Sequence, residues 1–384
     1  MYVHIPFCER LCPYCDFAVS VQVDIPHQEY TRAVCEELNS RYGELGEERE
    51  VETIYFGGGT PSLLAPEKLE ALIEHIRRLV TVTDDVEITL EANPNQISSE
   101  NLAAWREIGI NRLSLGCQSF QDRHLHRLRR NHDGAQALEA ARLALSQMER
   151  VSVDLMFAGP DQSLQEWEAD LGVMQGLVKE EGLDHVSAYN LTIEPGTTFA
   201  IRKRQGLLEV PGDDTAAIML DRLVEACAEV GLARYEVSNF AIPGGESRHN
   251  SGYWVGRPYL GVGVGAHSLQ VDDEGRAVRR ANPKRYDEYM RAPGRPATEE
   301  KLSAQTHLGE RLFLSARTTM GVDLKALRRQ FPGISSRLFD EIDHRLSDLV
   351  DRGWMERRAD SIVVPTNRGL NFADSLAQWL YEAA

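Results

Sequence analysis

Short runs rich in β-branched and aromatic residues alternate along this chain with longer stretches whose apolar residues recur every three or four positions. The short runs are Tyr2 to Ile5, Thr53 to Phe56, Val86 to Leu90, Arg112 to Leu115, Val151 to Met156 and His185 to Leu191. Between them lie helical patterns such as Pro66 to Leu79, Gly134 to Gln147, Leu164 to Val178 and Thr215 to Val230. Strands alternating with helices predict a parallel sheet or an open barrel of six βα units. Polar and glycine-rich residues gather where these strands end, and strand ends are where barrel proteins build their sites.

From Ala233 to about Gln270 the spacing shortens into strand-like pieces, including Tyr235 to Phe240 and Tyr259 to Val264, which predicts a β extension of the barrel. Gly261-Val-Gly-Val-Gly-Ala266 lacks the spacing of a dinucleotide-binding loop and reads as a tight β turn. The polar, proline-containing stretch from Arg291 to Glu300 marks a boundary. Beyond it, helices near Leu302 to Leu314, Leu324 to Gln330 and Ser336 to Asp351, a hairpin over Trp354 to Val364 and a last helix from about Asn367 predict a small winged-helix-like module. The expected division is therefore a core barrel over residues 1–235, a β extension over 236–290 and the C-terminal module over 301–384.

Charge and processing signals narrow the function. Fifty-nine acidic against 42 basic side chains give a net charge of −17, which opposes a phosphate backbone. The Arg328-Arg329 and Arg357-Arg358 pairs are too sparse to reverse that, so no nucleic-acid partner is expected. No long apolar run predicts a membrane span, and no secretory leader is visible at the start. A cytoplasmic location is the expectation.

The chemistry concentrates at the first strand's end, in His4-Ile-Pro-Phe-Cys8-Glu-Arg-Leu-Cys12-Pro-Tyr-Cys15-Asp-Phe17. Three thiols in eight residues predict metal binding, whereas Cys35, Cys117 and Cys227 read as small buried apolar side chains. Iron–sulfur cubanes ordinarily take four cysteines, so a trio suits a cluster that leaves one iron open. A structural zinc held by the same cysteines with His4 is the alternative. Gly57-Gly58-Gly59-Thr60 follows the second strand and lets backbone approach a ligand closely, while Glu91, Gln118 and Asp154 lie at or near the next strand ends.

C-x3-C-x2-C is the signature of radical S-adenosylmethionine (SAM) proteins. The resemblance extends over nearly the whole chain to the coproporphyrinogen III oxidase-like branch and, within it, to the HemW-type haem chaperones. It is carried by Tyr55-Phe-Gly-Gly-Gly-Thr-Pro-Ser62, Glu91-Ala-Asn-Pro94, Arg112-Leu-Ser-Leu-Gly-Cys-Gln-Ser-Phe120, Leu191-Thr-Ile-Glu-Pro-Gly-Thr197 and Tyr235-Glu-Val-Ser-Asn-Phe240. The resemblance implies a partial (β/α)6 radical SAM barrel, with a [4Fe-4S] cluster on Cys8, Cys12 and Cys15. SAM would contact Gly58, Gly59, Thr60 and Glu91, with Tyr2 and Gln118 lining its pocket, Arg130 at its carboxylate and Asp154 at its ribose.

One departure and one match bear on function. The decarboxylating oxidases of this branch extend the motif to a fourth cysteine, and Phe17 stands there instead, so oxidase activity on a tetrapyrrole is the second reading. His249-Asn-Ser-Gly-Tyr-Trp254 resembles the H-N-x-x-Y-W text of the haem chaperones, which implies His249 as an axial haem ligand. Haem is then cargo, passed to apo-haem proteins such as respiratory cytochromes, with an electron donor for the cluster and peripheral contact with membrane-bound acceptors. Phe157-Ala158-Gly159-Pro160 also departs from the family's usual aromatic-Gly-Leu-Pro text.

Overall fold

A computed structural model describes residues 1–45 and 50–382. Six parallel strands stand side by side in chain order: β1 (Tyr2–Ile5), β2 (Val51–Gly58), β3 (Val82–Ala92), β4 (Arg112–Gln118), β5 (Arg150–Phe157) and β6 (His185–Asn190). One face of each strand buries apolar side chains, as in Leu113 and Leu115 or Val151, Val153 and Leu155, because helices cover the outside of a parallel sheet, while alternate residues such as Ser114 and Asp154 face the barrel interior. The sheet runs on at both edges. Gly261–Val262 pairs in parallel with β1, and Asn239–Ala241 pairs antiparallel with β6 and with Ala233–Arg234, leaving among the described residues a partial barrel of nine strands rather than a closed ring.

Local signals explain the covering helices. Pro66–Leu79 carries proline in its first turn and buries Leu69, Leu72, Ile73 and Ile76 on one face. Gly134–Gln147 and Leu164–Glu181 each start with a capping box, Asp133 with Gln136 and Ser163 with Glu166. The second of these stops at Gly182, whose φ of 77° is the left-handed conformation a helix end needs.

The region expected as a β extension divides its strands. Asn239–Ala241 and Gly261–Val262 join the barrel sheet, while His267–Val271, Ala277–Ala281 and Thr298–Leu302 form a separate antiparallel sheet. Part of the stretch read as a boundary is therefore a strand of that sheet. Helix His27–Arg41 ties the two regions together through buried charge. Glu37 is fully buried; it pairs with Arg41 at 2.6 Å and accepts from Tyr289 Oη, Asn282 Nδ2 and the Gly263 amide at 2.7 to 2.8 Å.

The C-terminal module packs helices Ala304–Ser315, Leu324–Gln330 and Ser336–Asp351 around Leu308, Leu312, Phe339, Ile342 and Leu346. The hairpin Met355–Ala359 with Ile362–Pro365 supplies its wing. Among the described residues no helix is long and apolar enough to cross a membrane.

Candidate active site

The C-terminal ends of the barrel strands surround a cavity of about 390 Å³. Cys8, Cys12 and Cys15 line it, with Gly58, Gly59, Thr60, Glu91, Gln118, Arg130 and Asp154. Thus every residue expected at the cluster or SAM meets in one place except Tyr2. Tyr2 instead faces an adjoining, larger cavity, where its hydroxyl meets His4 Nδ1 at 3.0 Å.

The cysteines are half-buried free thiols. Burial pushes Cys8 up to about 12; the Thr60 hydroxyl, 3.9 Å from its sulfur, opposes this, and the Cys15 and Cys12 sulfurs add to it. Among the described residues no three His, Cys, Asp or Glu side chains converge as ligands of one ion. A cubane does not require that convergence, because it takes one thiolate per iron. The zinc alternative does require it, and its expected fourth ligand, His4, is hydrogen-bonded at Nδ1 to Tyr2 and at Nε2 to the Ala18 carbonyl, 2.9 Å away.

The glycines make room where the chemistry needs it. A Cβ on Gly59 would lie 2.6 Å from the Phe7 carbonyl oxygen and 2.8 Å from Cys8 Sγ, so backbone and thiol meet there only because the side chain is absent. Gln118 closes β4 with a φ of 66° at a register shift against β5. A non-glycine residue in that conformation is strained, and such strain gathers at functional sites.

Three charged groups give the cavity its electrostatics. Glu91 accepts from Tyr55 Oη at 2.8 Å and from the Gly58 amide at 3.0 Å, and burial, reinforced by Asp154, raises its carboxyl to about 7. Burial also raises Asp154, against the hydroxyls of Ser114, Ser187 and Ser152. Ser114 Oγ donates to it at 2.7 Å. Arg130 donates to Cys12 Sγ at 3.7 Å, to the Gly116 carbonyl at 3.0 Å and to Asn93 Oδ1 at closer range, and its Nε is buried without a partner. A half-buried guanidinium whose buried Nε is unsatisfied among the described residues, beside a thiol cavity, fits an anionic group of a bound ligand.

Asn93, Tyr55 and the serines around Asp154 complete the site without having been singled out as site residues. Asn93, Tyr55 and Ser114 lie inside the Glu91 to Pro94, Tyr55 to Ser62 and Arg112 to Phe120 texts, so their signal was present; Ser152 and Ser187 carry none that distinguishes them from ordinary strand residues.

His249, expected as a haem ligand, lies outside the lining of the cluster cavity, behind Tyr2 and Tyr55. It lies on the short helix Arg248–Trp254 and is 5% exposed. Its Nδ1 meets Thr53 Oγ1 at 2.8 Å and its Nε2 meets Tyr253 Oη at 2.9 Å, while its ring stacks on Tyr55 at 4.8 Å. Both nitrogens are hydrogen-bonded in the described conformation, so to ligate iron His249 would have to give up Thr53 or Tyr253. The local departure at Ala158 is also visible, as a φ of 56° where the family's glycine would be unstrained.

Residues 2–173 match the Radical SAM superfamily. Over most of its length the chain is 34% identical to the haem chaperone HemW of Bacillus subtilis, covering 96% of this chain and 95% of that one. The chain belongs to the HemW family. It is 32% identical to HemW of Escherichia coli, over 98% of this chain and 97% of that protein. The solved structure of the coproporphyrinogen III oxidase HemN from Escherichia coli superposes with a TM-score of 0.80, covering 100% of this chain and 90% of that one at 21% identity. That likeness establishes a shared radical SAM fold, including the region beyond the superfamily match.

Proposed function

We propose that this chain is a haem chaperone that holds a [4Fe-4S] cluster on Cys8, Cys12 and Cys15, binds SAM beside it and passes haem to apo-haem proteins. The observation that carries the reading is the meeting of three thiols with Glu91, Arg130 and Asp154 around one cavity at successive strand ends, in a chain related throughout to haem chaperones. Phe17, 67% exposed at the rim where the oxidases carry a further cysteine, separates this reading from porphyrinogen oxidation.

When bound, such a cluster supplies low-potential electrons to SAM. The chain's own residues position the ligand. Gly58 and Gly59 let it approach the backbone, Arg130 pairs with its carboxylate, and Glu91 and Asp154 accept from its N–H and O–H groups. In this reading residues 1–235 carry the cluster and SAM, 236–290 connect them to the roof, and 301–384 form it. Cytoplasmic residence, an electron donor, respiratory apo-cytochromes as acceptors and peripheral contact with membrane-bound acceptors belong to the same proposal.

Anaerobic reconstitution with iron and sulfide followed by haem titration tests it. The wild type should show a broad cluster absorbance and bind haem stoichiometrically, and a Cys8/Cys12/Cys15→Ala triple variant should lose the cluster. A wild type that assembles no cluster would overturn the reading.

A further inference from the structure

A second cavity of about 890 Å³ adjoins the first and shares Asp16, Phe17, Gly58 and Glu91 with it. Its volume lies within the range of about 300–1,000 Å³ typical of cofactor sites. One wall is the barrel mouth, another is the sheet His267–Val271 with Ala277–Ala281, and the roof is Phe313, Leu314 and Tyr381 of the C-terminal module. The lining is more apolar than polar, which suits a flat hydrophobic macrocycle.

The histidines of this cavity and its border are not equivalent. His249, behind Tyr2 and Tyr55, is committed at both nitrogens, and so is His4. His307 is 1% exposed and packed edge-on against Phe331, with Nδ1 on the Gly275 carbonyl; its Nε2 has no partner among the described residues but is itself buried, out of reach of a ligand in the described conformation. His267 is exposed on the cavity wall, and among the described residues no hydrogen bond engages either of its ring nitrogens. Burial, with Lys284 and then Arg279 beside it, lowers its pKa, so the ring is neutral at neutral pH and keeps a lone pair for a metal.

The cations around His267 differ too. Arg279 is paired with Glu300 at 3.1 Å and, more closely, with Glu310; Arg257 is paired with Glu52 at 2.7 Å. Lys284 has no ion-pair partner among the described residues. It is exposed on the lining of the cavity and close enough to lower the pKa of His267. An open imidazole beside an open ammonium on an apolar wall matches a ligand with a metal at its centre and carboxylates on one edge.

We infer that haem seats in this cavity between barrel and C-terminal module, with His267 as its iron ligand and Lys284 receiving a propionate. The inference rests on the haem-chaperone reading and specifies the site within it. It places the cargo against Phe17 and Glu91, next to the cluster cavity, and gives His249 the task of bracing Tyr55 and Tyr253.

The test uses the full chain with its cluster reconstituted, titrated anaerobically with haem, in the wild type and in His267→Ala, His267→Met, Lys284→Glu and His249→Phe. Expected are a changed Soret position and electron-paramagnetic signature in both His267 variants, about tenfold or greater weakening in His267→Ala, and weaker binding with an unchanged spectrum in Lys284→Glu. His249→Phe should keep the wild-type haem spectrum. Haem that binds the wild type stoichiometrically, but keeps its spectrum in His267→Ala and loses it in His249→Phe, would overturn this site and leave the chaperone reading standing. No stoichiometric haem binding by the wild type would overturn the chaperone reading itself. Circular dichroism and cluster absorbance of each variant show whether a loss of haem reflects a loss of fold.

Discussion

Glu91→Gln should weaken SAM binding and stabilise the ligand-free protein, two effects of opposite sign from one change. Glu91 uses one carboxylate oxygen on Tyr55 Oη and the other on the Gly58 amide, which leaves acceptor capacity for a ligand N–H or O–H. A hydrogen bond to a charged group contributes about 1.5–3 kcal/mol, so its loss should weaken SAM by about 10- to 150-fold above pH 7. Burial first, then Asp154, raises the carboxyl from 4.5 to about 7 in the fold. The folded state therefore holds the proton more tightly than the unfolded chain. Stability from this group is fully present below about 4.5 and is lost as pH rises through about 7. Removing the charge should recover about 1–2 kcal/mol at pH 8 in the absence of ligand, less than the full shift because glutamine accepts less well from Tyr55 and Gly58. SAM affinity of the wild type should fall as pH drops below about 7, by up to tenfold per unit, whereas the variant's profile should be flat in that window. Calorimetric titration of the reconstituted protein from pH 6 to 8.5, with denaturant unfolding of the ligand-free protein, measures both. A variant that binds SAM like the wild type at pH 8, or is less stable there, would refute the reasoning.

Other sites give sharper single readouts. Gly59→Ala places a methyl 2.8 Å from Cys8 Sγ and 2.6 Å from the Phe7 carbonyl, so reconstituted iron content should drop severely while far-ultraviolet dichroism is retained. Glu37→Ala leaves Arg41, 4% exposed, with Glu44 at 3.1 Å as its remaining acid and strips the acceptor from Tyr289 Oη, Asn282 Nδ2 and the Gly263 amide, and should cost about 3–5 kcal/mol in urea unfolding. Ala158→Gly relieves a φ of 56° and should add about 0.5–1 kcal/mol without changing iron content.

The sequence pattern and the fold agree most closely where apolar periodicity is unbroken. Tyr2–Ile5, Pro66–Leu79, Gly134–Gln147, Leu324–Gln330 and Ser336–Asp351 occupy the expected bounds. Helix His27–Arg41 left a fainter pattern because its buried face includes Glu37 and Arg41, so hydrophobic spacing understates how much of it is inside. Tyr235 to Phe240 looks like one strand, yet only Asn239–Ala241 pairs antiparallel with β6; Glu236 is instead a single bridge to Thr318 of the C-terminal module. At the site, chemistry local in sequence was legible, namely the cysteine loop, the glycines and the strand-end acids. What depends on distant pairing was not. His249 resembles a ligand in the text, but Thr53, 196 residues away, and Tyr253 occupy its nitrogens. His267 has only its openness to mark it, and openness is a property of the fold.

Haem transfer tests the central claim most directly. The reconstituted protein, loaded with one equivalent of haem, is mixed anaerobically with an apo-b-type cytochrome, and formation of the holo-cytochrome spectrum is followed. The account predicts transfer faster than from free haem at equal concentration, reduced in the Cys8/Cys12/Cys15→Ala variant and dependent on SAM. Haem that stays bound, or reaches the acceptor at one rate from the wild type, from the triple variant and from free solution, would contradict it.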